Sequence, residues 1–126
     1  MPDARISGHR FHYHPVNGCV LLRPEGPCDE STTKALAELA NSRITESKDL
    51  IIDLSHADYV ESPGFRWLVR QVRHLESQNR KLILTGLCPS VDRAFRLLRL
   101  DRIIPAADDV SEALEISHGK KEPVGV

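Results

Sequence analysis

The spacing of apolar residues changes several times along the chain, and each change predicts an element. Leu50-Ile51-Ile52-Asp53-Leu54 is a near-continuous apolar run, the pattern of a central strand covered on both faces. Lys81-Leu82-Ile83-Leu84-Thr85 is a second such run, ended by Gly86. Elsewhere apolar residues recur at helical spacing. Leu36, Leu39, Ala40 and Ile44 predict a helix over 31–43, which Asp29 or Ser31 can cap. Phe65, Leu68, Val69, Val72 and Leu75 predict one over 62–79, with Arg66, Arg70, Arg73 and Glu76 on its other face. Val91, Ala94, Phe95, Leu97 and Leu98 predict a third, opened by Pro89-Ser90, and Asp108-Asp109-Val110-Ser111 opens a last one through Ile116.

Two shorter extended runs, 10–14 and 19–23, flank Pro15-Val16-Asn17-Gly18. Asn-Gly between such runs predicts a hairpin, because both residues tolerate positive φ. Pro24, Gly26 and Pro27 then break the chain, and Ile103-Ile104-Pro105 predicts a short edge strand. Strands that alternate with helices require crossover connections. The expected fold is an α/β sandwich, with a mostly parallel central β-sheet, an N-terminal β-hairpin and about four flanking helices. Residues 1–9 lack periodicity and read as a flexible N-terminal arm. Residues 117–126, rich in Gly, Lys, Glu and Pro, read as a flexible C-terminal tail, which leaves one domain over 10–116.

Composition narrows the function. A chain of 126 residues builds one core. With 17 basic and 18 acidic residues the formal net charge is −1, which gives no electrostatic case for nucleic acid. The apolar runs fall far short of the roughly 20 residues that span a bilayer, and no apolar segment of a signal peptide follows Met1-Pro2-Asp3-Ala4-Arg5. Cys19, Cys28 and Cys88 are odd in number and widely spaced, as expected for free thiols in a reducing cytoplasm.

Candidate chemistry is sparse. His12 and His14 alternate on one strand face with His9 near, but no carboxylate or thiol of fitting spacing completes a metal site. Cys88 lies before Pro89-Ser90, where a helix start can lower a thiol pKa; a structural thiol is the plainer reading. There is no glycine-rich phosphate cradle and no Gly-x-Ser-x-Gly elbow. Asp53 and Asp58 do not stand out as an acid/base couple. No catalytic residue, metal or cofactor is therefore expected. What remains is Ser62, read as the N-cap of the 62–79 helix with Pro63 at the next position. Its hydroxyl is either a plain cap or a phosphorylation switch, since a phosphate is stabilised at the positive end of a helix. Arg66, Arg70 and Arg73 form a stripe along that helix, either a solvated face or a docking face. Trp67 either joins that face or tucks between helices.

The chain resembles a STAS domain of the anti-sigma factor antagonist type over nearly all of 10–116. Leu50-Ile51-Ile52-Asp53-Leu54-Ser55 followed by Tyr59-Val60-Glu61-Ser62-Pro63-Gly64-Phe65 resembles the family's apolar strand and its Asp-Ser-Ser/Thr-Gly-Leu motif. Lys81-Leu82-Ile83-Leu84, the stretch from Cys88 to Phe95, and Leu98-Arg99-Leu100-Asp101-Arg102-Ile103-Ile104 resemble the segments that follow. Gly26 and Asp29 fall where the family has a Gly-Glu-Leu-Asp turn. The resemblance implies a regulatory module, not an enzyme. It would be phosphorylated at Ser62 by a partner serine kinase that doubles as an anti-sigma factor, and reset by a cognate phosphatase. The partner-binding surface so implied comprises Asp29, Glu61, Ser62, Pro63, Gly64, Arg66, Trp67 and Arg70, on a monomer or weak homodimer. Four positions depart from the pattern: Glu61 replaces aspartate, Pro63 the second Ser/Thr, Arg66 a frequent glycine, and Pro27 the turn's glutamate. Pro63 and Arg66 favour the alternative, a non-switching accessory subunit docked on a transporter or lipid-transport complex.

Overall fold

The computed structural model describes residues 3–6, 9–16 and 18–119. In chain order the elements are β1 (Asp3–Ile6), β2 (His9–Val16), β3 (Cys19–Pro24), α1 (Glu30–Ala40), β4 (Asp49–Asp53), α2 (Ser62–Glu76), β5 (Leu82–Thr85), α3 (Pro89–Leu97), β6 (Ala106–Ala107) and α4 (Val110–Ser117). Single 3-10 turns cover Arg43–Thr45 and Leu100–Arg102.

All six strands form one sheet in sequential order, β1 to β6. The first three are antiparallel, and β3 through β6 are parallel. Val16 pairs with Cys19 across a two-residue connection, so the expected hairpin is present, with Gly18 at φ 85°. Asn17 itself lies outside the described residues.

Parallel strands laid down in one direction through right-handed crossovers place every crossover helix on the same face. Accordingly Val20, Leu22, Leu50, Ile52, Leu82 and Leu84 point to α1, α2 and α3, where they form the main core with Leu36, Leu39, Leu68, Leu75 and Phe95. The alternate strand positions Cys19, Leu21, Ile51 and Ile83 face the other way, beneath Ala113 and Ile116 of α4. Two-sided covering explains why β4 and β5 read as unbroken apolar runs.

Several expectations are corrected. The arm expected over 1–9 contains a strand, β1, which Asp3, Ala4, Arg5 and Ile6 form by pairing with 9–12 of β2; Met1, Pro2, Ser7 and Gly8 lie outside the described residues. The edge strand is Ala106–Ala107, not 103–105: Ile104 is fully buried in the core, and Pro105 contributes only its carbonyl, to the Leu84 amide at 2.9 Å. Helix α2 stops at Glu76, where Ser77 and Asn79 turn the chain toward β5. Leu97 and Leu98, counted among the apolar positions of the third helix, are 76% and 58% exposed; Arg99 follows in the left-handed region (φ 58°), and Leu100 is buried beyond it. The tail expected from 117 has Ser117 inside α4; residues 120–126 lie outside the described part.

Candidate functional site

The candidate site sits where the parallel strands β4 and β5 end, the edge at which open α/β sheets build sites. The chain leaves β4 at Asp53, whose carboxylate accepts from the Ser55 amide at 2.9 Å, and runs through residues 54–61 to α2. Backbone bonds fasten this loop to the segment before α1. The Gly26 amide donates to His56 O, Cys28 to Tyr59 O, and Glu61 back to Cys28 O, each at 3.0 Å. From the other side, the Ser90 hydroxyl at the start of α3 donates to Asp58 O at 3.1 Å. The loop before Ser62 is thus held from two directions.

The start of α2 differs from the expected cap by one residue. Glu61 has extended backbone (φ −78°, ψ 162°), and its carbonyl accepts the first intrahelical bond from Phe65 N, so Glu61 is the N-cap. Ser62 is the first helical residue and Pro63 the second. The Glu61 side chain does not cap its own helix. Its Oε1 reaches across to the Glu30 amide at 3.2 Å, at the start of α1. There Asp29 is the N-cap, and its Oδ1 accepts from Thr32 N at 2.8 Å. The two helix starts are therefore one construction, in which Asp29 and Glu61 both serve α1.

Gly64 is what lets them lie so close. A Cβ there would stand 2.7 Å from Val60 Cγ1 in the preceding loop and 3.3 Å from Thr33 Oγ1 on α1, so a larger residue must displace the Val60 side chain and press on α1. Ser62, in contrast, is exposed, and its hydroxyl has no hydrogen-bond partner among the described residues.

Beyond Ser62 lies a groove of about 490 Å³ between α2 and residues 98–100. Phe65, Val69, Leu98 and Leu100 give it an apolar floor, and Ser62, Arg66 and Arg70 form its rim. Both arginines are exposed, and neither has a carboxylate partner among the described residues. Trp67 is not part of this face. It is 7% exposed and packs with Cys28, Thr33, Leu36 and Val60 between α1 and α2, so the reading that placed it on the docking face is corrected to the one that tucked it between helices.

A family model for the STAS domain matches residues 13–113. The chain belongs to the STAS domain family. Among relatives, it is 26% identical over 94 residues to BtrV of Bordetella bronchiseptica, assigned as an anti-sigma factor antagonist, an overlap of 74% of this chain and 81% of BtrV. Its fold matches that of a Thermotoga maritima protein described as an anti-sigma factor antagonist (TM-score 0.79, 22% identity, 86% of this chain and 94% of that one). It also matches the antagonist SpoIIAA in its unphosphorylated form (TM-score 0.72, 20% identity, 89% and 99%).

Within this STAS domain, the other candidates from sequence separate clearly. His12 and His14 share a strand face, but His14 is exposed while His12 Nε2 lies 2.6 Å from Glu25 Oε1. The other oxygen of Glu25 is 2.7 Å from His56 Nδ1. Burial opposes the charge on Glu25, yet the hydrogen bond and charge of His56, with His12 and Arg23, outweigh it and hold the carboxyl below its ordinary range. This His-Glu-His bridge ties the β2–β3 hairpin to the loop before Ser62. Sequence reasoning missed it because the partners are far apart along the chain and Glu25 follows a proline in a broken segment. No group of three or more His, Cys, Asp or Glu among the described residues is arranged to hold a metal.

All three thiols are free, with Cys19 and Cys28 buried and Cys88 half-buried. Burial pushes Cys28 up to about 12 and raises Cys19, which lies 2.9 Å from the Ser117 hydroxyl. Cys88 is the N-cap of α3, with its sulfur over the Leu54 and Ser55 carbonyls at 3.9 and 3.8 Å. No helix among the described residues is long and apolar enough to cross a membrane.

Proposed function

We propose that this STAS domain is a cytoplasmic anti-sigma factor antagonist-type regulator, switched by phosphorylation of Ser62. The modifying partner is a serine kinase that doubles as an anti-sigma factor, and a cognate phosphatase restores the hydroxyl. One observation carries the reading: the Ser62 hydroxyl is exposed and takes no part in capping, although it opens a helix. A serine kept as a cap satisfies an amide of the first turn. Here Glu61 supplies the cap carbonyl and Asp29 supplies the side-chain cap of the neighbouring helix, so Ser62 is free for chemistry. That SpoIIAA, a protein of like fold, has been solved in a phosphorylated form supports the same reading.

The docking surface in this reading is Ser62, Arg66 and Arg70 around the apolar groove, with Asp29, Glu61, Pro63 and Gly64 fixing the backbone beneath it. Adding a phosphate puts about −1.5 to −2 charges on a surface that docks as a hydroxyl. The change is large enough to release a partner without refolding the domain.

Phosphopeptide mass spectrometry on the protein from its native cells, across growth and stress conditions, tests the proposal. A condition-dependent phosphate at Ser62 is the expected result. A Ser62 peptide that is well covered and always unmodified overturns the switch and leaves a docking subunit.

A further inference from the structure

We propose that the phosphate carried by Ser62 is received by the guanidinium of Arg66, one turn along α2, and not by the amides of the helix start. The inference rests on Ser62 as the phosphosite and adds the group that takes up its charge.

A helix start ordinarily binds phosphate because its first N–H groups are unpaired and point outward along the dipole. At α2 that device is largely used up. Pro63 has no N–H. The Gly64 and Phe65 amides both donate to Glu61 O, at 2.8 and 3.3 Å, and the Glu61 amide donates to Cys28 O at 3.0 Å. Only the amide of Ser62 itself is left. Beside it, the Glu61 carboxylate is pinned on Glu30 N, where its charge opposes a second anion.

Arg66 supplies what the helix start lacks. Residues four apart on a helix are surface neighbours, with Cβ atoms about 5–6 Å apart. Ser62 and Arg66 line the same groove. Arg66 is exposed and has no competing carboxylate among the described residues, so no existing bond must break for it to turn toward the phosphate. Its planar fork pairs with two phosphate oxygens at once. The groove changes character as a result. Its rim carries two positive charges from Arg66 and Arg70 while Ser62 is a hydroxyl, and a phosphate of about −1.5 to −2 brings that sum close to zero.

The test uses the full chain with phosphoserine installed at position 62 during translation, titrated by phosphorus NMR. A guanidinium beside the phosphate favours its dianion, so the second phosphate pKa falls below the ordinary value of about 6. The expected lowering is roughly half a unit, the scale of an exposed ion pair, and it shrinks at high salt. Arg66→Gln returns the titration to its ordinary position, Arg66→Lys restores part of the lowering, and Arg70→Gln moves it less than Arg66→Gln does. A titration left unchanged by Arg66→Gln overturns the proposal, whether the value shared by parent and variant is ordinary or lowered. Because the phosphate is installed in synthesis, the result stands apart from whether any kinase modifies Ser62 in cells.

Discussion

Helices α1 and α2 begin side by side and are built in opposite ways. The start of α1 is served twice over, by the Asp29 carboxylate on Thr32 N and by the Glu61 carboxylate on Glu30 N. The start of α2 receives no side-chain cap, although its first residue is a serine and its N-cap an acid. Asp29 and Glu61 both hold the first helix in place, and the Ser62 hydroxyl, one residue past the N-cap of the second, is left unused. A residue type that commonly caps helices is found here outside that role. One start is made for stability, and the other keeps its polar group available.

The largest expected effect comes from removing what both starts rest on. Trp67 is buried between α1 and α2, where it lines a small cavity with Cys28, Thr33, Leu36 and Val60. Trp67→Ala is expected to cost about 3–5 kcal/mol, the range for deleting a buried aromatic. Urea denaturation reads this as a lower midpoint. Loss of partner binding in this variant would follow the loss of fold, in contrast to a contact residue, which weakens binding at unchanged stability. A midpoint shifted by less than about 1 kcal/mol would mean that Trp67 is not the common support.

The next pair of variants addresses the contrast itself. Asp29→Ala removes a working cap and is expected to cost about 1 kcal/mol, within the range of 0.5–2 for such losses. Ser62→Ala removes a hydroxyl with no partner and is expected to stay within about 0.5 kcal/mol of the parent. The same denaturation experiment ranks them. If Ser62→Ala proves as costly as Asp29→Ala, the serine is a cap after all and the difference between the two starts disappears.

Much of this contrast could be read from sequence, and the part that could not has definite causes. Unbroken apolar runs located β4 and β5 because both faces of those strands are covered, and Asn-Gly located the hairpin because its conformational demand is local. Helix α2 buries a wider stripe than periodicity suggested. Gly64, Trp67 and Gln71 are buried together with Phe65, Leu68, Val72 and Leu75, because α2 packs on α1 as well as on the sheet. Strand β1 has no alternation to betray it, since Asp-Ala-Arg-Ile is a strand through its backbone pairing with β2. The cap moved from Ser62 to Glu61 because capping preference is a bias of about 1 kcal/mol, which the bonds of the 54–61 loop to Gly26 and Cys28 override. Glu25 was invisible for the same reason: its partners His12 and His56 are brought to it only by the folded sheet.

The smallest expected effect tests whether that Glu25 bridge steadies the loop leading to the unused hydroxyl. The carboxyl of Glu25 is held below its ordinary range, so in the folded chain it binds its proton more weakly than in the unfolded one. Its stabilisation is therefore complete above the unfolded glutamate value of about 4.3 and is lost as pH falls through the lowered folded value. Glu25 is partly exposed, so the amount is modest, on the order of 0.2–1 kcal/mol. Glu25→Gln keeps the shape and removes the titration. Stability measured from about pH 6 down to about pH 3 should fall more steeply in the parent than in this variant, and the two curves should converge at the acid end. Amide hydrogen exchange locates the effect. If the bridge holds the loop, the Gly26 amide, bonded to His56 O at 3.0 Å, loses protection in Glu25→Gln while the Thr32 amide on Asp29 keeps it. Equal losses at both amides would mean that the bridge supports the two helix starts alike, and the loop before Ser62 would have no separate anchor.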